Sequence, residues 1–178
     1  MVEFEFTIRP LEQRDTDRVR NIFVAGHAAL FRPGDSPEVQ RLVTERIEKS
    51  LQEDMRDPFA YYRSGSRRMF WVAETDGGVI ATGAMEPWQD DDGVGRLRRV
   101  SVAGEYRRRG VAWRMMDCIE KWAIESGYRA IRLDTADRFE EAVAMYRARG
   151  YGLVERTPRL RADSLTFEKL MAPGQEYA

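Results

Sequence analysis

The chain has 178 residues, 43% of them hydrophobic and 33% charged, with a formal net charge of -1. That length most simply makes one domain, residues 1–178, with enough chain to bury a proper core, and the composition excludes a disordered or membranous polypeptide. The near-zero charge argues against broad nucleic-acid binding, which wants a clearly basic face.

A single cysteine, Cys118, excludes an intramolecular disulfide and a multi-cysteine metal site. The single histidine, His27, argues against a His-based zinc site or a Ser-His-Asp triad, so no metal is expected. No basic-then-apolar signal pattern opens the chain, since Glu3 and Glu5 stand where positive charge belongs. The charge-free run Asn21 to Phe31 falls short of the roughly 20 residues a bilayer span needs. These features lead to the expectation of a cytoplasmic protein that needs no membrane.

In chain order, Glu3 to Pro10 alternates Phe4, Phe6 and Ile8 with polar neighbours, the period of a strand. Asp15 can cap a helix reaching about Phe31. After the break Arg32-Pro33-Gly34-Asp35, Ser36 caps a second helix with Pro37 in its first position and an apolar stripe of Leu42, Val43, Ile47, Leu51 and Met55. Asp57-Pro58 opens a short helical turn through Tyr61 and Tyr62. Met69 to Ala73 is a continuous apolar strand, Asp76-Gly77-Gly78 a hairpin turn, and Val79 to Met85 the return strand. Trp88 to Gly95, with Asp90-Asp91-Asp92, reads as a polar surface loop. Leu97 to Ala103 is a strand and Gly110 to Ser126 a helix stopped by Gly127. Cys118 falls on that helix's apolar face as a packed thiol. A strand over Ala130 to Thr135, a helix from Phe139 to Arg149 capped by Asp137 or Thr135, and strands over Tyr151 to Arg156 and Ser164 to Leu170 complete the order. The sum is a mixed α/β sandwich with helices on both sides of one twisted sheet.

The densest signal is Val100 to Ala112, VSVAGEYRRRGVA. A strand that runs through a basic glycine loop into a helix start makes an anion site. The first helical N–H groups have no partner within the helix and lie at the positive end of its dipole. Gly110 lets a bulky phosphate approach the backbone, and Arg107, Arg108 and Arg109 add bidentate donors. The plainer reading is a solvated basic turn. No G-x-x-x-x-G-K-[ST] and no G-x-G-x-x-G occurs, which weakens other nucleotide sites.

The spacing Arg107-x-x-Gly110-x-Ala112 resembles the [Q/R]-x-x-G-x-[G/A] pyrophosphate loop of the GNAT N-acetyltransferases. Ala142 to Tyr151 resembles their second signature, A-x-x-L-Y-x-x-x-G-F. Ser50 to Glu74, LRRVSVAGEYRRRGVA and LDTAD look like the camello-like members, without the hydrophobic membrane insert those carry before the FWVAE strand. The resemblance implies a central mixed sheet of about seven strands, with helices on both faces and a splayed strand pair holding acetyl-CoA. It implies that the backbone of Val100, Ser101 and Val102 holds the pantetheine arm, with a strand N–H near Val102 facing the thioester carbonyl. The stretch Arg107, Arg108, Arg109, Gly110, Val111, Ala112 and Trp113 would take the pyrophosphate. Phe139 stands where many members have a cofactor-contacting Asn.

The resemblance further implies acetyl transfer to a primary amine, of a small molecule or an amino-acid conjugate, in a ternary complex. A protein lysine or N-terminal acceptor and a non-catalytic acyl-CoA-binding regulator are the alternatives, and a homodimer is compatible with either. Tyr146 occupies the family's general-acid position, although its face shared with Phe139, Ala142 and Val143 also suits a core tyrosine. The glutamate often found on the strand before the loop is replaced by Arg96 and Arg98, neither of which can accept a proton. Glu86, Asp134 and a water chain are the substitutes for the base. The acceptor is expected beside the two N-terminal helices and Tyr61, Tyr62, Trp71 and Trp88.

Overall fold

The computed structural model describes residues 4–160 and 162–171. Strand β1 (Thr7–Pro10) begins later than the alternation suggests, and Glu3 lies outside the described residues. Two helices follow, α1 (Thr16–Ala28) and α2 (Pro37–Gln52), then the single turn and a half of α3 (Pro58–Arg63). Caps set two of these starts. Ser36 Oγ accepts from Val39 N at 3.4 Å, Asp57 Oδ1 accepts from Ala60 N at 3.0 Å, and a proline follows each cap. Asp15 does not cap α1. Its carboxylate accepts from the backbone N–H of Glu12 at 2.9 Å and from Arg9 at 2.6 Å, a stronger charge-assisted partner that redirects it. Helix α1 also stops at Ala28, short of Phe31.

Strands β2 (Met69–Thr75), β3 (Gly78–Trp88) and β4 (Asp91–Val102) form an antiparallel meander. The expected loop over Trp88 to Gly95 is therefore strand, closed by a tight turn at Gln89 and Asp90. Tertiary partners convert it: Arg129 ion-pairs with Asp91, Asp91 Oδ1 accepts from Gly93 N at 3.0 Å, and Gly93 O accepts from Arg129 N at 2.9 Å. Helix α4 (Val111–Glu125), β5 (Ala130–Ala136), α5 (Glu140–Ala148), β6 (Gly152–Thr157) and β7 (Ser164–Leu170) complete the chain. Neither expected residue caps α5. Phe139 holds that position without a side-chain bond, and Asp137 pairs with Arg156 at 3.6 Å.

The seven strands make one sheet in the order β1-β2-β3-β4-β5-β7-β6. One face packs beneath α4 and Tyr146, with Met115, Met116 and Ile119 fully buried, each such side chain contributing about 1.5–3 kcal/mol. The other face packs beneath α1 and α3, through Val19, Ile22, Phe23 and Tyr62. Only β4 and β5 run parallel, and they pair solely over Val94–Arg96 and Ala130–Arg132. Beyond that vertex the two strands separate, and the opening between them faces the N-terminus of α4.

Candidate active site

The loop from β4 into α4 presents backbone donors. Arg108 (φ 57°) and Gly110 (φ 77°) both take the left-handed conformation, which costs little at the glycine and folds the chain into a concave nest of N–H groups. The first helical bond is Arg114 N to Gly110 O at 3.0 Å. Among the described residues, the backbone N–H groups from Arg108 to Trp113 have no hydrogen-bond partner. No described heavy atom lies within 4 Å of where a Cβ on Gly110 would sit. This open run of donors at a helix start fits a diphosphate. The three arginines divide their work. Arg107 Nε donates to Val102 O at 3.1 Å, Arg109 stacks on Phe4 at 5.0 Å, and Arg108 is exposed without a described partner. Val111 is core, and Trp113 is exposed with the Arg149 guanidinium 4.6 Å above its ring.

Between the strands, the β5-facing edge of β4 from Leu97 to Val102 has no strand partner. An extended arm can add there by main-chain hydrogen bonds, as an added strand does. Val100 and Val102 pack toward α4. Ser101 turns toward α1, so close that a Cβ on Gly26 would meet its Oγ at 2.7 Å. Phe139, at the start of α5, lies edge-on to His27 at 6.1 Å and so ties the end of β5 to α1.

A β-bulge shapes the opposite wall. Thr82 pairs with Ser101 and Ala84 with Arg98, so Arg99 and Val100 together oppose Gly83. Arg99 takes φ 60°, and Thr82 Oγ1 donates to its carbonyl at 2.6 Å. The extra residue lets Arg98 and Arg99, neighbours in sequence, both turn toward α2 and α3. There they meet Asp54, which is fully buried between α2 and α3. Arg98 Nη2 donates to Asp54 at 3.2 Å, Arg99 Nε at 2.9 Å, and the Tyr62 hydroxyl at 2.8 Å. Burial works against the ionised form of Asp54, and the hydrogen bonds and charge of Arg99 outweigh it, holding the carboxyl below its ordinary value. Glu86 is 5% exposed, and both its oxygens are engaged, by Arg98 at 2.7 Å and by the Tyr61 hydroxyl at 2.9 Å. Burial, then Glu86, raises the Tyr61 phenol.

Asp134 lies on β5 two residues past the vertex. It is exposed to the opening, bridged to Arg96 at 3.3 Å and accepting from Thr166 at 2.8 Å. Arg96 and Arg132 stack on Trp88 at 5.4 and 5.7 Å, a floor for this face. Tyr61 and Trp88 thus stand on the expected acceptor side. Tyr62 is core, and Trp71 packs on Trp122 at 5.1 Å on the α4 side of the sheet, because β2 alternation sends it there. Tyr146 is 6% exposed, its ring against Tyr151 and Phe167. Its hydroxyl has no partner among the described residues, yet it is not a sealed buried atom. Burial raises this phenol as well. No local pattern in the sequence singles out Asp54 or the bulge at Arg99. Asp54 sits in a charged helix end and meets its partner 45 residues onward, so only local charge density marked it.

An open vertex between parallel strands above a helix-start cradle defines an acyl-CoA-binding transferase fold, and the chain belongs to the GNAT acetyltransferase family, whose model matches residues 36–151. A camello N-acetyltransferase of Xenopus tropicalis is 33% identical over 101 residues, 57% of this chain and 46% of its own. The N-acetylaspartate synthetase of Danio rerio is 30% identical over 131 residues, 74% and 46% respectively. The chain spans about half the length of the curated relatives it matches. The yncA protein of Salmonella typhimurium, solved with its cofactor acetyl-CoA, superposes with a TM-score of 0.67 at 11% identity, covering 94% of each chain. Among the described residues no helix is long and apolar enough to cross a membrane, and no cluster of three or more His, Cys, Asp or Glu side chains is placed to hold a metal ion.

Proposed function

We propose that this chain transfers an acetyl group from acetyl-CoA directly to the primary amine of a small molecule. The observation that carries the reading is the pairing of the open β4 edge with the unsatisfied N–H run at the start of α4. Acetyl-CoA supplies the activated acetyl group. The Arg108 to Trp113 backbone holds its diphosphate, and Leu97 to Val102 orient its arm as an added strand. Asp134, reached from the acceptor face, takes a proton from the incoming ammonium and frees the nitrogen lone pair. As the C–N bond forms and the C–S bond breaks, Tyr146 gives its phenolic proton to sulfur and regains one from solvent. The nitrogen's second proton leaves to solvent. Glu86 serves as a positioning residue that fixes Arg98 and Tyr61, since it is buried with both oxygens committed, whereas Asp134, though bridged to Arg96 and Thr166, is exposed.

A steady-state panel of amines with acetyl-CoA, followed by release of the CoA thiol, tests the reading. Turnover with mass-detected N-acetyl product supports it. Arginine at position 96, in place of the family's frequent glutamate, favours one second reading, a regulator that binds acyl-CoA without transfer. Tight cofactor binding with no thiol release from any amine would select that reading instead.

A further inference from the structure

The opening between β4 and β5 is crossed on the α1 face by residues 29–36, the loop that joins α1 to α2. On the β4 side, α1 lies so close to the strand that a Cβ on Gly26 would meet Ser101 Oγ at 2.7 Å. On the β5 side, the residues that follow the strand hold both ends of the loop. Arg138 Nη1 donates to Leu30 O at 3.5 Å and to Asp35 Oδ1 at 3.2 Å, and His27 lies edge-on to Phe139 at 6.1 Å. Both anchors are set in the sheet. Ser101 pairs with Thr82, Ala136 pairs with Ser164, and Asp137 N donates to Asp163 O at 3.0 Å. The loop is therefore a strap from one separated strand to the other, and Arg138 with Asp35 is its fastening. The two side chains are 19% and 8% exposed, so salt screens the pair only weakly. Asp35 Oδ2 also accepts from Arg32 N at 2.7 Å, so the carboxylate that folds the strap also fastens it. The Arg32 to Glu140 pair at 3.6 Å is exposed on both sides and adds little. Val100 and Val102 pack toward α4 on the opposite face, so an arm added along Leu97 to Val102 lies between that helix and the strap. The approach left to an acceptor is from the vertex, beside which Asp134 is exposed.

We propose that Arg138 is a positioning residue that fastens the 29–36 strap over the acyl arm of the bound cofactor, so that the acetyl group passes to an amine and is kept from water. This inference rests on the transfer reading above. Hydrolysis is the competing reaction. A water oxygen adds to the thioester carbonyl, the C–O bond forms and the C–S bond breaks, and acetate, the CoA thiol and one proton result. A fastened strap excludes that water from the α1 face and leaves the vertex side to the amine.

The test counts CoA thiol, acetate and N-acetyl product separately, with acetyl-CoA and the best amine of the panel. Wild type should release one thiol per N-acetyl product. Arg138→Met keeps the length of the side chain and removes its fork, and should release at least about three thiols per product, the excess appearing as acetate. Without amine it should hydrolyse acetyl-CoA at least about fivefold faster than wild type. Asp35→Asn keeps an acceptor for Arg32 N and removes the charge, so it should uncouple in the same direction, and it carries the test if Arg138→Met does not fold. The double variant should uncouple no more than Arg138→Met alone, because the two side chains act as one pair. A merely structural role would lower thiol and product together with their ratio kept at one, and that result overturns the proposal. Additive uncoupling in the double variant also overturns it. If wild type acetylates no amine, the transfer reading fails by itself. Hydrogen exchange of residues 29–36 with CoA bound then reads the strap, slower exchange in wild type than in Arg138→Met supporting the fastening and equal exchange overturning it.

Discussion

The phenol of Tyr146 is buried, and the same burial that packs it keeps it protonated. The acid role proposed for Tyr146 requires a proton held until the bond to sulfur breaks, and the burial is consistent with that. Tyr146→Phe keeps the ring contacts with Tyr151 and Phe167 and removes only the donor. Stopped-flow or steady-state assay should show kcat lower by roughly 10²–10⁴-fold, with acetyl-CoA affinity and melting temperature nearly unchanged. A loss under about threefold would make Tyr146 a packing residue. His27 gives the pH prediction. The folded imidazole stays neutral down to about 4, whereas an unfolded histidine takes up a proton below roughly 6.5. Between those values the unfolded chain binds the extra proton, so stability falls as pH drops from 6.5 toward 4 and this contribution levels off below. Urea midpoints should show the protein weaker by about 2 kcal/mol at pH 5 than at pH 7 from this group. His27→Gln should shrink that difference, and an unchanged slope would assign the acid sensitivity elsewhere.

At the scale of elements, two local distortions define the site. The first is the left-handed turn at Arg108 and Gly110, which aims unpaired N–H groups outward from α4. Gly110→Glu strains that turn and places a carboxylate in the cradle. Calorimetry on the folded variant should show acetyl-CoA affinity reduced by more than tenfold, that is, by more than about 1.4 kcal/mol. Unchanged affinity would remove the cradle from the site. The second distortion is the bulge at Arg99. A non-glycine residue in that conformation costs about 1–2 kcal/mol, and Asp54 offsets the cost by gathering Arg98, Arg99 and Tyr62 onto one buried carboxylate. Asp54→Asn leaves Arg99 without its counter-charge and Arg98 with Glu86 alone, and should destabilise the protein by about 3 kcal/mol in urea titration. A cost below about 1 kcal/mol would mean that solvent already screens the pair.

For the whole molecule, charge is partitioned rather than pooled. Arg107 turns back on β4, Arg109 stacks on aromatic rings, and Arg96, Arg98 and Arg99 each meet an acid. A chain of net charge -1 has little overall attraction for a polyanion. Gel-shift titration at physiological salt should show no submicromolar DNA or RNA complex, and one that acetyl-CoA fails to displace would contradict this partition. The amino-acid sequence by itself determined the element order, the strand-loop-helix cradle at Gly110 and the family signature around Tyr146. Those features are short-range: periodicity, caps and glycine positions act within a few residues. Tertiary structure alone decided that Trp88 to Gly95 is a hairpin, since Arg129 must reach Asp91 across 38 residues. It also decided that Glu86 is buried between Arg98 and Tyr61 while Asp134, bridged to Arg96, stays exposed. Each of these depends on which charges the fold brings within a few ångströms, and in a chain one-third charged no local pattern states that pairing.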